Sequence, residues 1–183
     1  EGSLFECFCF DAKTEGSHVS DGQWEICVIA LGTNLGNREE TAFKAKADLS
    51  ATEGFKVTRF SSLKETVALG PEGLSNEAPK YLNQIIFLQS AWSAKMTLHH
   101  LLQIELRHGR RREKERYANR TLDLDLILFG SLVSSDPHLT LPHPRAHERR
   151  FVLEPWLELD PNAEIPGLAR VSELLDRLDP SSP

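Results

Sequence analysis

Between Arg120 and Phe129 the chain reads Arg-Thr-Leu-Asp-Leu-Asp-Leu-Ile-Leu-Phe. Alternate residues of a strand share a face, which puts Asp123 and Asp125 on one side, roughly 7 Å apart at ~3.3 Å per residue. Leu122, Leu124, Leu126 and Leu128 then take the other side, toward a core. Carboxylates at that spacing suit hard cations, and a pair of Mg2+ ions can be shared between them. A solvated polar face is the plain alternative. Against it, Ile127 and Phe129 continue the aspartate side as apolar residues, so that side is covered further along. Two carboxylates at the mouth of a covered face need a counter-charge.

The counter-charge is adjacent in sequence. Seven of the chain's 21 Lys and Arg fall between Arg107 and Arg120, among them Arg110, Arg112 and Arg116. Arginine forks match phosphate oxygens in bidentate geometry, and a loop can close over a triphosphate. Alone, such a run reads equally well as a solvated loop compensated by Glu113 and Glu115. Beside paired aspartates it describes a phosphoryl-transfer site. The net charge of −6 excludes a protein that coats nucleic acid or an anionic membrane. A basic patch on an acidic chain suits a small polyanion.

Other motifs fall away. Gly32-Thr-Asn-Leu-Gly-Asn37 looks like a phosphate-cradling turn, but no Gly-Lys-Ser/Thr follows and a third glycine is missing, which excludes the P-loop and the dinucleotide fingerprint. There is no Ser-His-Asp or Cys-His signature. His143 and His147 are separated from helical register by Pro142 and Pro144, so His143 reads as a hydrogen-bonding loop residue. Cys7, Cys9 and Cys27 make no disulfide framework and point to a reducing compartment. Cys7 and Cys9 lack a second pair to complete a zinc site. No apolar run approaches the ~20 residues of a membrane span.

The elements that position these groups follow from periodicity. At 183 residues, 40 % hydrophobic and 26 % charged, the chain suits one domain with a sizeable core. Residues 1–23 lack a period and read as a tail, an expression remnant or the end of a preceding domain. Residues 24–178 form the domain, and 179–183 a tail or linker. A buried strand over 26–31 stops at Gly32. Asn37 and Glu40 form a capping box for a helix running through Leu49 and ending near Gly54. A second strand spans 55–63, and residues 69–79 form a loop rich in Gly and Pro. A third strand over 81–88 puts Tyr81, Asn83 and Ile85 on one face. Thr97 caps a second helix, with Leu98, Leu101, Leu102 and Leu106 as its stripe and Gly109 as its stop. Residues 122–129 are the fourth strand. The order βαββαβ predicts an α+β, ferredoxin-like antiparallel sheet with helices packed on one face. A Pro-rich C-terminal extension follows, with a short helix over 170–178.

Taken in order, several segments resemble the 6-hydroxymethyl-7,8-dihydropterin pyrophosphokinase family (2-amino-4-hydroxy-6-hydroxymethyldihydropteridine diphosphokinase) of folate biosynthesis. They are Ala30-Leu-Gly-Thr-Asn-Leu-Gly-Asn37, residues 66–71, Tyr81-Leu-Asn83, Gln103-Ile-Glu105, Gly109-Arg110, Arg120 to Asp125, and Leu141-Pro-His-Pro-Arg-Ala-His-Glu-Arg-Arg-Phe151. The likeness covers roughly residues 25–178. It implies transfer of the β,γ-diphosphate of ATP to the pterin hydroxymethyl group, with release of AMP. Asp123 and Asp125 would hold two Mg2+ ions. Arg110 and Arg120 would neutralise charge on the transferred group, and Arg112 would help bind ATP. Gln103, Glu105, Thr140, His143 and Arg149, with backbone near Leu126, would line the ATP site. The pterin would stack between Tyr81 and Phe151 and bond to Asn83, with Thr66, Val67 and Leu69 as a wall. A flat heteroaromatic ring wants aromatic faces and an amide that both donates and accepts.

The chain departs from the family pattern at Tyr117, where members often carry Trp, and at Asn119, Val67, Ala68 and His138. The cysteine usage, net charge and lack of an apolar span predict a cytoplasmic enzyme, or an organellar one if a targeting peptide has been removed, without nucleic-acid or membrane partners. The tails at residues 1–23 and 179–183 permit fusion to another folate-pathway domain. Two other readings use similar topology. A palm-like nucleotidyl transferase or cyclase would not need Tyr81, Asn83 and Phe151 to converge. An RNA-binding module wants a basic sheet face, whereas this one bears Asp123 and Asp125.

Overall fold

The computed structural model describes residues 24–70, 73–75, 79–109 and 121–178, with backbone alone described at 68–70 and 73–75. In chain order the elements are β1 (Glu25–Thr33), α1 (Arg38–Ala51), β2 (Phe55–Phe60), β3 (Lys64–Thr66), β4 (Ala68–Gly70), β5 (Gly73–Ser75) and β6 (Tyr81–Ser90). Then come α2 (Ala94–Arg107), β7 (Asp123–Phe129), β8 (Ser134–Asp136), β9 (Leu139–Leu141), a 3-10 turn (Ala146–Glu148), α3 (Arg150–Leu159) and α4 (Val171–Arg177). The main sheet runs β2-β6-β1-β7, with β3 also beside β6, and every pairing is antiparallel. This is the ferredoxin-like order expected of βαββαβ.

Alternation along β1 feeds two cores. Cys27, Ile29 and Leu31 meet Ala42, Ala45 and Leu49 of α1 and Leu101 and Ile104 of α2. Val28, Ile85 and Ile127 meet Val152, Leu153 and Trp156 of α3 and Val171 and Leu174 of α4. Helices therefore cover both faces, not one. The sequence hides α3 because Pro155 lies inside it. Proline there removes one helical bond and costs about 3 kcal/mol. Burial of Val152, Leu153, Trp156 and Leu159 outweighs that, at about 1.5–3 kcal/mol per large apolar side chain.

Local details confirm some expectations and correct others. Asn37 caps α1, its Oδ1 accepting from Glu40 N at 3.2 Å and its Nδ2 donating to Glu40 Oε2 at 3.1 Å. The cap of α2 is Ser93, whose Oγ accepts from Met96 N at 3.3 Å, and not Thr97. Thr97 is buried in the first turn with its hydroxyl 2.7 Å from Ser90 Oγ. The stripe that α2 buries is Ala94, Thr97, Leu101, Ile104 and Glu105, and Leu106 is left 50 % exposed. Gly109 ends α2 with φ +78°, as expected. The segment read as a plain loop contains the β4–β5 hairpin.

One irregularity shapes β7. Ile29 pairs with Leu126 and Val28 with Leu128, leaving Ile127 as an extra residue in a bulge. Ile127 stays on the aspartate side as expected. Beyond it the faces exchange: Leu128 packs toward α3 and α4, and Phe129 joins the α1–α2 core. Strict period-2 counting cannot see that switch.

Candidate active site

A single row across the sheet organises the site. Gly32 of β1 pairs with Asn83 of β6 on one side and Asp123 of β7 on the other. In the next row Ala30 stands between Ile85 and Asp125. A Cβ on Gly32 would lie 3.4 Å from Asn83 Oδ1, 3.8 Å from Tyr81 Cδ1 and 3.9 Å from Asp123 Cβ. The amide and ring of one strand and the carboxylate of another thus crowd over a residue that has no side chain. Sequence reasoning took Gly32 for a strand end and missed this role. A glycine within a strand, marking close approach of a ligand or backbone, was the available signal.

The carboxylates are half-buried, and Asp125 Oδ2 lies 3.3 Å from Arg149 Nη1. Arg149 stands at the boundary of α3, its guanidinium carbon 5.6 Å from the centre of the Phe151 ring. One arginine therefore links an acid of β7 to the first turn of α3. His143 is fixed nearby: its N–H donates to Ile127 O at 2.9 Å, and its Nδ1 accepts from Arg145 N at 3.3 Å. Burial lowers the His143 pKa, opposed by the negative charge of Asp125 and, more weakly, of Asp123. It is the hydrogen-bonding loop residue the prolines predicted.

On the other side of the row, Asn83 is 5 % exposed and donates from Nδ2 to Thr66 Oγ1 at 2.7 Å. Thr66 in turn pairs with Tyr81. Tyr81, Asn83 and Thr66 therefore meet at one corner, with half-buried Val67 following. Leu69 lies in β4, its side chain outside the described residues.

The residues expected around ATP separate into groups. Glu105 is 1 % exposed, and its Oε1 accepts from Leu124 N at 2.7 Å. Strand β7 is a sheet edge, and this carboxylate supplies an acceptor that another strand would otherwise provide. The Leu126 side chain is buried in the α1–α2 core, away from the aspartate side. Gln103 is exposed on α2 and lines a cleft of about 310 Å3 with Asp48, Ala51, Thr52, His100 and Arg107. The structure does not bring it to the aspartates. Thr140 is exposed on β9, donating from Oγ1 to Asp136 O at 3.0 Å. Arg110, Arg112 and Arg120 lie outside the described residues, as do Tyr117 and Asn119. Among the described residues no group of three or more His, Cys, Asp and Glu could hold a metal ion.

Comparison with known proteins identifies the framework. The fold matches the HPPK-DHPS protein of Plasmodium falciparum with TM-score 0.66 at 12 % identity, over 86 % of this chain and 44 % of that one. The chain thus spans less than half of that protein. The 2-amino-4-hydroxy-6-hydroxymethyldihydropteridine pyrophosphokinase of Synechocystis sp. is 35 % identical over 153 residues, covering 83 % of this chain and 75 % of that one. The Bacillus subtilis protein of the same name is 38 % identical over 134 residues, 73 % of this chain and 77 % of its own. The folate synthesis bifunctional protein of Arabidopsis thaliana is 38 % identical over 136 residues, 74 % of this chain and 27 % of its own. These likenesses put the chain among enzymes that transfer pyrophosphoryl groups. Residues 28–161 match the 7,8-dihydro-6-hydroxymethylpterin-pyrophosphokinase family, and the chain belongs to that family. No helix among the described residues is long and apolar enough to cross a membrane.

Proposed function

We propose that the row across Gly32 is where the β,γ-pyrophosphoryl group of ATP passes to the hydroxymethyl group of 6-hydroxymethyl-7,8-dihydropterin. The substrate hydroxyl oxygen bonds to Pβ as the bridge to Pα breaks. AMP keeps the bridging oxygen and its electron pair, and the hydroxyl proton leaves to solvent. The observation that supports this most is the placement of Asn83 and Asp123 on either side of one glycine. A ring held by the Asn83 carboxamide lies beside the acids, within reach of a phosphate chain gathered there.

Asp123 and Asp125 fit Mg2+: they are half-buried carboxylates two residues apart on one strand. With no third described acid beside them, phosphate oxygens and water would complete each shell. Two bound ions would neutralise charge on the phosphates. Arg149, resting on Asp125, is positioned to turn its guanidinium to an arriving phosphate oxygen. Arg110 and Arg120 neutralise the group in transit, Arg112 holds ATP, and Phe151 faces the pterin ring opposite Tyr81. The buried free thiol of Cys27 suits a reducing compartment such as the cytoplasm.

The test is AMP formation from ATP, dependent on the pterin and on Mg2+. Asp123→Ala and Asp125→Ala should each cost several kcal/mol of transition-state stabilisation while the fold persists. A variant retaining more than about a tenth of the parent rate overturns the metal assignment, since tenfold is only about 1.4 kcal/mol.

A further inference from the structure

The loop after β1 and the start of α1 grip a distant part of the chain. Thr66 and Tyr81 face each other across the β3–β6 pairing, so residues 67–80 form an excursion whose two ends meet there. Arg38, the first residue of α1, bridges both ends of it. Its Nη1 donates to Lys80 O at 2.7 Å, and its Nη2 lies 3.0 Å from Glu65 Oε2. Lys80 closes the triangle, with Nζ 3.1 Å from Glu65 Oε1. Asn34 adds a weaker tie, Nδ2 to Pro79 O at 3.4 Å. The phosphate-like turn at residues 32–37 thus leads into a staple.

We infer that Arg38 is a positioning residue for the pterin, holding shut the neck of the excursion so that Thr66 and Tyr81 stay in register beside Asn83. Each end of the staple adjoins a wall of the pocket. Glu65 precedes Thr66, whose hydroxyl receives the Asn83 amide, and Lys80 precedes Tyr81. A planar guanidinium with separate donors can serve a backbone carbonyl and a carboxylate together, whereas one ammonium is a compact point charge. The staple is partly solvated, with Arg38 30 % and Glu65 42 % exposed, so its contribution is modest. It shapes one substrate's site and leaves the acids of β7 untouched. This inference rests on the pterin reading of the corner formed by Tyr81 and Asn83.

The experiment compares Arg38→Ala, Arg38→Lys, Glu65→Gln and Asn83→Ala with the parent. It records pterin affinity by calorimetry beside a non-hydrolysable ATP analogue, KM for each substrate, kcat and Tm. Arg38→Ala should weaken pterin binding and raise its KM about three- to tenfold, the size expected when a partly exposed charged hydrogen bond is lost. KM for ATP and kcat should change less than twofold. Arg38→Lys should restore part of the affinity, and Glu65→Gln should lose less than Arg38→Ala. If Arg38→Ala binds pterin like the parent while Asn83→Ala does not, the staple has no role and the pocket stands. If both substrates' parameters and Tm fall together, Arg38 merely stabilises the fold and the inference fails. If Asn83→Ala too binds like the parent, the pocket reading fails, and this inference with it.

Discussion

Replacing Gly32 with alanine should separate stability from pterin binding. Gly32 is not among the described glycines with positive φ, so an L side chain meets no backbone strain there. The new methyl would make ordinary contacts with Tyr81 and Asp123 at 3.8 and 3.9 Å, and a close but tolerable one with Asn83 Oδ1 at 3.4 Å. Folding should therefore survive, and alanine should even stabilise by about 0.4–1 kcal/mol through the unfolded chain. The substrate meets a different surface. A methyl set against the carboxamide oxygen shields the acceptor that ring donors use. Losing one such bond, with partial compensation by water, costs about 1–2 kcal/mol, or roughly 5- to 30-fold in affinity. Calorimetric titration of pterin into the variant with an ATP analogue measures this, and urea unfolding run in parallel measures stability. Parent-like affinity in a protein of parent-like stability refutes the argument, because the row across Gly32 would then not floor the pocket.

Phe151→Ala should weaken pterin binding by about 1–3 kcal/mol through lost stacking and apolar burial, with ATP affinity unchanged in the same calorimeter. Glu105→Ala leaves the Leu124 N–H without its acceptor and should lower unfolding free energy by about 1–3 kcal/mol in urea. Burial raises the Cys27 thiol to about 12 from an ordinary 9.0, with the charge of Glu25 adding to the effect. A raised folded pKa gives stability that is whole below the ordinary value and is lost as pH climbs from 9 toward 12. Unfolding curves across that window should fall more steeply for the parent than for Cys27→Ala, and identical slopes would contradict the assignment.

The fold was legible wherever one period governs an element. The alternation of Leu122, Leu124 and Leu126 and the Asn37–Glu40 cap marked β7 and α1 correctly. What escaped had local causes. Pro155 masked α3, because the burial that offsets its cost is tertiary. Ser93 lies close before the expected cap Thr97, and short polar side chains before a helix look alike until the buried face is known. The bulge at Ile127 depends on β1 as well as β7, so no single segment records it. At the site, the pairing of Arg149 with Asp125 joins residues on different elements, and no sequence period reports it. Gln103 shows the converse: adjacency to Glu105 in sequence puts it on another side of α2, exposed at the α1 cleft.

The covering of both sheet faces has a consequence during synthesis on the ribosome. Strand β1 is central but the earliest made of the described strands, and its partners β6 and β7 are complete once Phe129 has been added. Once that stretch has cleared the ribosome, it can dock α1 and α2 on one side. The ridge of Val28, Ile85 and Ile127 has no cover until Val152, Leu153 and Trp156 emerge. An early stop before α3 would therefore yield a protein with an adhesive, water-shunning flank, a substrate for chaperones and proteases. Arg149 and Phe151 belong to the same late segment. The side chains proposed to meet phosphate and pterin and the apolar cover of that ridge thus arrive within a few codons of each other.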